Sequence, residues 1–404
     1  MTTPNTARTV RAAVILAAVI ALPACDAARK HGKYTTEGKS AAQARMDSMK
    51  AATEYQIALQ ALLAGNRDKA LKHVDRSLSL TDKIARAWVL RGRVMLERGQ
   101  LEESSLSFDK AAELEPKNAE VPYYRGVLAE RVQRKEDALL AYTEAARLDP
   151  LRPQYALAAA EMMIDMERLE EAKAFLKERQ RDFSHTPGIP QALGHIAMIQ
   201  GDYAEAIKQF SEARLLAPDE FEALEDLARA QYMGGSFAEA EANLARLARS
   251  EAFRDRRDLA QMRARCLVNM ERFAEARDVL LALTSDEAGA ADADLWIELG
   301  QVAYQLRDMS RLRDAFNRTL AIAPNRAEGH VLKGLYQRRI GRNAEAAETF
   351  RRAAELDPSA DNYVLLGVTL NDLGKAQVAQ EAFRRAAAID PDNETARKLA
   401  GVSN

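Results

Sequence analysis

Cysteine is almost absent, with two in 404 residues, Cys25 and Cys266. Two cysteines make no disulfide framework, and no Cys-x-x-Cys or Cys/His cluster offers a zinc site. The five histidines (His31, His73, His185, His195, His330) lack the i, i+4 spacing that a helical metal site uses. There is no glycine-rich phosphate loop, no Gly-x-Ser-x-Gly elbow and no His-Glu-x-x-His run. No catalytic constellation is therefore expected, and neither is a cofactor or a small-molecule substrate. An excess of one charge is missing as well: 58 Lys and Arg against 60 Asp and Glu leave −2. That balance argues against a nucleic-acid partner, which calls for a basic excess or stripe. Aromatics make up only 6% of the chain, against 77 alanines. A large β-sandwich wants β-branched and aromatic residues, whereas so much alanine suits close-packed helices. The expected fold class is all-α.

The N-terminus reads as an address. Arg8 and Arg11 precede an uncharged apolar run from Ala12 to Leu22. Eleven residues cannot span a bilayer, which takes about 20, but they match the core of a secretory signal peptide. The run ends in Leu22-Pro23-Ala24-Cys25, which resembles the bacterial lipobox, with Pro23 as a departure from its usual small residue. The resemblance implies cleavage between Ala24 and Cys25, acylation of Cys25, and an envelope protein held by lipid and facing the periplasm. Residues 1–24 are then a signal peptide, and the remainder carries 56 basic against 60 acidic residues, or −4. Asp26 resembles the inner-membrane retention signal of enteric lipoproteins, and the choice of membrane stays open. Residues 25–50 read as the lipidated cysteine and a flexible tether, turning helical near Ser40. Within 26–50 six basic residues face three acidic ones, an excess that suits anionic headgroups and a plain solvated linker equally.

A period organises the rest. Six of the ten prolines after the signal (Pro116, Pro150, Pro218, Pro324, Pro358, Pro391) are spaced by 34, 68, 106, 34 and 33 residues. Small residues recur in the same frame at Ala58, Gly92, Gly126, Ala160, Gly194, Ala228, Ala264, Gly300, Gly334 and Gly367, and alanine recurs twelve residues later in eight repeats. Aromatics follow at Phe108, Tyr142, Phe210, Phe316, Phe350 and Phe383, with Trp88 and Trp296 near the repeat starts. These motifs are similar to the 34-residue tetratricopeptide repeat, with small residues at positions 8 and 20, aromatics at 4, 11 and 24, and proline at 32. Ten repeats start at 51, 85, 119, 153, 187, 221, 257, 293, 327 and 360. The resemblance implies a right-handed α-solenoid of helical hairpins, because one repeat cannot bury its own face and a stack can. Small residues at 8 and 20 let the two helices of a hairpin approach, while larger ones at 4, 11 and 24 fill the gap to the next helix. Proline at 32 ends the second helix.

The domain reading is a seven-repeat array over 51–290, a three-repeat array over 291–393, and a capping helix and tail over 394–404. The join Ser285–Asp292 reads as a flexible hinge, and Trp88, Trp296 and Cys266 as core.

In this family the first helix of each repeat lines a concave face through positions 2, 5, 9 and 12. Carried over, that places Tyr55, Leu59, Arg86, Val89, Arg93, Tyr123, Glu130, His195, Arg229, Tyr232, Gln301, Tyr304, Arg338 and Asn371 in a groove. The Lys and Asn set that clamps a C-terminal carboxylate in chaperone-binding members is absent. Tyrosine and arginine are interface anchors, and the mixture suits an extended peptide or partner helix, on a face not needed for stacking. The resemblance implies a lipid-anchored scaffold for an envelope machine, such as pilus or secretion assembly, outer-membrane protein insertion or exopolysaccharide export. The alternative is an adaptor that docks peptidoglycan enzymes or proteases. An enzyme is not expected.

Overall fold

The computed structural model describes residues 31–401, and among these it contains 22 helices and no strand. The lipobox, with Ala24 and Cys25, lies outside the described residues.

The chain forms two compact units, one ending at Val132 and one beginning at Gln133. The first holds α1 (His31–Leu63), α2 (Arg67–Leu80), α3 (Ala85–Glu97), α4 (Leu101–Leu114) and α5 (Glu120–Arg131). The second begins with α6 (Lys135–Leu148), α7 (Pro153–Asp165), α8 (Leu169–Arg179), α9 (Gly188–Ile199) and α10 (Tyr203–Leu216). It continues through α11 (Phe221–Met233), α12 (Phe237–Leu247), α13 (Arg257–Asn269), α14 (Phe273–Leu283), α15 (Glu287–Ala290) and α16 (Ala293–Gln305). It closes with α17 (Met309–Ile322), α18 (Ala327–Arg339), α19 (Asn343–Leu356), α20 (Ala360–Asp372), α21 (Ala376–Ile389) and α22 (Glu394–Ala400). Nine of the ten expected repeat starts coincide, within one residue, with the start of a helix; the tenth, at 51, falls inside α1.

Helix α1 begins at His31, not near Ser40, so residues 31–50 are helical rather than a flexible tether. The physical reason is cooperativity: the packed half from Ala51 onward supplies the costly nucleus. Ala41, Ala42, Gln43, Ala44, Arg45 and Met46 then extend it cheaply.

In four hairpins the glycine at position 8 meets the aromatic at position 24 of the same repeat. A Cβ on Gly194 would stand 2.6 Å from a ring carbon of Phe210, and one on Gly334 2.6 Å from Phe350. Gly92 and Phe108, and Gly367 and Phe383, repeat the arrangement. The position-24 ring thus works within its own hairpin and also fills the gap to the next repeat, as expected: Phe108 stacks on Tyr124 at 5.9 Å and Phe316 meets Tyr336 at 5.4 Å. Where alanine is replaced at position 20, Ser104 is fully buried and its hydroxyl donates to the Gly92 carbonyl at 2.8 Å. Leu312 is fully buried at the equivalent place.

The turn between the two helices carries a second rule that the composition hides. Position 15 of every repeat has a left-handed backbone: Gly65, Gly99, Gly201, Gly235, Gly341 and Gly374, but also Gln133, Glu167, Glu271 and Arg307. Only glycine adopts this conformation without a steric penalty.

The tryptophans expected in the core are half-buried instead. Each indole N–H needs an acceptor and finds one six residues upstream, Trp88 on Asp82 O at 2.8 Å and Trp296 on Ala290 O at 3.1 Å. His330 at the same repeat position contacts Pro324 O at 3.0 Å. In these three repeats position 4 therefore pins the preceding loop.

The join at 285–292 is also ordered rather than open. Asp286 caps α15 by accepting from Gly289 N at 2.7 Å and accepts from Arg257 at 2.6 Å, while Arg257 also donates to Leu283 O at 2.9 Å. At the C-terminus α22 is capped by Asn393, whose side chain accepts from Ala396 N at 2.9 Å. Gly401 ends it in the left-handed region.

Candidate protein-interaction face

The residues assigned to a groove all sit on first helices, where the 3.6-residue period brings positions 2, 5, 9 and 12 to one side. In the first unit the structure gathers several of them. Arg86 Cζ lies 4.9 Å from the Tyr55 ring centroid, a cation–π distance. Burial holds the Tyr55 phenol above its ordinary pKa; Arg86 and Arg93 pull it down and Glu120 pushes it up. Arg93 in turn lies 5.0 Å from the ring of Tyr124, which meets Tyr123 edge-on at 5.1 Å. Arg86 and Glu130 are exposed, and Leu59 is half-buried against the hairpin core. Val89 does not belong with them: it is 2% exposed and packs beside Phe108 and Val121.

In the second unit the same positions are engaged in rungs between successive first helices. His195 Nε2 lies 3.4 Å from Asp226, which also accepts from Gln191 at 2.9 Å. Arg229 donates to Glu225 and to Asp258, each at 2.7 Å, and Arg256 joins the same two carboxylates at 2.9 Å. Hydrogen bonds from Arg256, and then from Arg229, hold the Asp258 carboxyl well below the usual carboxylate range. Gln261 and Arg265 converge on Glu298 at 2.9 and 2.6 Å. Arg338 reaches Asp372 at 3.0 Å. These contacts correct the expectation that the face is not needed for stacking, because they cross from one repeat to the next. Tyr232 is half-buried against the core, its ring edge-on to Phe237 at 5.9 Å. Tyr304 is half-buried with Arg339 Cζ at 5.4 Å from its ring. Gln301 and Asn371 are exposed.

The acidic partners, Glu225, Asp226, Asp258, Glu298 and Asp372, were not singled out in the sequence. A usable signal was present: His195 and Arg265 stand at position 9, and Asp226 and Glu298 at position 6 of the following repeat. A second missed feature is Glu241 of α12, 8% exposed and held by Arg263 at 2.8 Å and Arg272 at 3.5 Å. A third is a buried amide at position 11. Gln231 accepts from Asn243 at 2.8 Å and Gln337 from Thr349 at 2.7 Å, so position 23 answers position 11 in both repeats. Cys266 is fully buried, and burial pushes its thiol up to about 11. Among the described residues no group of three His, Cys, Asp or Glu could hold a metal ion, and no helix is long and apolar enough to cross a membrane.

Two family models, both described as tetratricopeptide repeat, match this chain, one at residues 96–153, 262–327 and 331–394 and the other at 197–263. No curated protein matches it. Among solved structures it is similar to PilF of Pseudomonas aeruginosa, with 18% identity, a TM-score of 0.45, and coverage of 50% of this chain and 92% of that one. It is also similar to PilW, a type IV pilus biogenesis factor, with 19% identity, a TM-score of 0.44 and coverage of 50% of this chain and 96% of that one. Naa15/Naa10 bound to HypK-THB shares 15% identity at a TM-score of 0.34, covering 87% of this chain and 65% of that one. The matched repeats make up more than half of the 404 residues, and the hairpins place their small and aromatic positions in contact, so the chain belongs to the tetratricopeptide repeat family.

Proposed function

We propose that this protein is a lipid-anchored, periplasmic protein–protein interaction scaffold that assists assembly of an envelope machine. The single observation that carries the binding part is the group Tyr55, Arg86, Arg93 and Tyr123 on the first helices of the first unit. There arginines lie over tyrosine rings and Arg86 is exposed. Rigid aromatic area with a guanidinium beside it is the chemistry of interface anchors, and an extended peptide or a helix presents the complementary shape. In the second unit Arg229, His195 and Arg338 are held by acids, so recognition there falls to Tyr304, Gln301 and Asn371. The anchor rests on the lipobox resemblance alone.

Two measurements test this. Cross-linking and pull-down from membranes should lose partners for Arg86→Ala and Tyr304→Ala, at about 2 kcal/mol or more for a true anchor. Charge reversals at Lys110 and Glu113, exposed on a second helix, should keep them. Labelled palmitate should enter the parent and not Cys25→Ser; equal labelling sinks the lipid anchor, and partners kept by both groove variants sink the groove.

A further inference from the structure

Helix α1 is 33 residues long, about 50 Å at 1.5 Å per residue, and only its C-terminal half packs on α2. From Glu37 to Lys50 every residue is exposed except half-buried Asp47. Met46 and Met49 leave 51% and 73% of their surface open. A helix advances about 100° per residue, which divides this segment by chemistry. Lys39, Ala42, Arg45, Met46, Met49 and Lys50 fall on one side, with three cations and no acid. Glu37 and Asp47 fall on the other, the side that carries the buried Ala51, Ala58 and Leu62 further along the same helix.

We propose that the outward side of α1 over residues 39–50 lies on an anionic lipid surface. The methionines supply the apolar contact, and the three cations sit at headgroup level, where each adds attraction to an anionic leaflet. Both acids point away from the lipid, and so does the hairpin core, so a helix lying flat brings the stripe down without pressing α2 into the surface. Net charge does not produce this attraction, since the whole chain is at −2; the segregation along α1 does. The inference goes beyond the scaffold reading and does not require acylation of Cys25.

The test uses the full-length chain with Cys25→Ser, so that no acyl chain contributes. An environment-sensitive fluorophore is attached through Met49→Cys on the stripe, or through Ser40→Cys on the opposite side. Cys266 is fully buried and takes no label. The probes are vesicles of phosphatidylcholine with or without phosphatidylglycerol. The expected result is a blue shift for the residue-49 probe on phosphatidylglycerol vesicles only, with the residue-40 probe unchanged. Adding Lys39→Gln and Lys50→Gln, which removes two of the three cations, should weaken vesicle affinity about thirtyfold, and salt should weaken it as well. Equal responses from both probes, or none at residue 49, overturn the proposal. So does a concentration-dependent shift at residue 49 without vesicles, which assigns the stripe to a second copy of the chain. A palmitate result at Cys25 bears on the anchor alone and leaves this outcome separate.

Discussion

Replacing Gly334 by alanine sets two known effects against each other. Alanine is the better helix former in the middle of α18, by about 0.8–1 kcal/mol. The new Cβ, however, would lie 2.6, 2.7 and 2.8 Å from three carbons of the Phe350 ring, where carbon atoms rest at about 3.5–4.0 Å. The ring has to retreat by roughly 1 Å. It has nowhere to go: Phe350 is fully buried, with Ala346, Ala347, Leu366 and Leu370 in the same cluster. Overpacking costs about 1–3 kcal/mol, and three contacts below 3 Å against an immobile ring put this one in the upper half of that range, so the clash wins and Gly334→Ala should lose about 1–2 kcal/mol net. Two other glycines calibrate the result. Gly38, exposed in α1 with nothing within 4 Å, should gain up to about 1 kcal/mol on change to alanine. Gly341, equally open but at φ +81°, should lose about 0.5–1 kcal/mol net, backbone strain exceeding the chain entropy that alanine saves. Urea denaturation followed by circular dichroism measures all three, and hydrogen exchange in α18 and α19 localises the loss. Phe350→Leu gives the ring's space back, so Gly334→Ala should be far milder in that background, with a coupling of about 1 kcal/mol or more. If Gly334→Ala equals the parent in stability, or adds independently to Phe350→Leu, close helix approach is not the reason for glycine at this position.

Two further outcomes follow from the backbone and from the charge rungs. Glu167, Glu271 and Arg307 hold φ of 59°, 58° and 57°, so each change to glycine should stabilise by roughly 0.5–1 kcal/mol in the same denaturation assay, strain relief exceeding the added chain entropy; a loss at all three refutes the strain argument. Asp258 has its pKa depressed in the folded state, so its contribution is present above the ordinary carboxylate value of about 3.9 and is lost as pH falls through and below it. Being half exposed, it is worth about 1 kcal/mol or less. Asp258→Asn should therefore be the less stable protein near pH 7, with the two stability curves converging toward pH 2; a constant offset at all pH values excludes the linkage.

What could be read from the residues alone was whatever depends on short range. The repeat frame, the helix starts and the small positions follow from contacts within one hairpin, which each repeat spells out again. Position 15 shows the boundary of that legibility. Six glycines announce the left-handed turn, but Gln133, Glu167, Glu271 and Arg307 adopt it too, and their residue types do not announce it. The tryptophans were legible as large residues at a packing position. That each spends its N–H on the preceding loop depends on how the loop returns across the helix end. The join at 285–292 reads as flexible from its alanine, glycine and aspartate, yet Arg257, nearly thirty residues away, pins it. The same holds for the face on the first helices. The sequence placed Arg229, His195 and Arg338 there by period. Only the stacking of one repeat on the next brought Asp258, Asp226 and Asp372 within reach and turned those side chains into rungs. Pairing of that kind depends on the rotation and offset between hairpins, which the tertiary structure sets and a repeating motif does not encode.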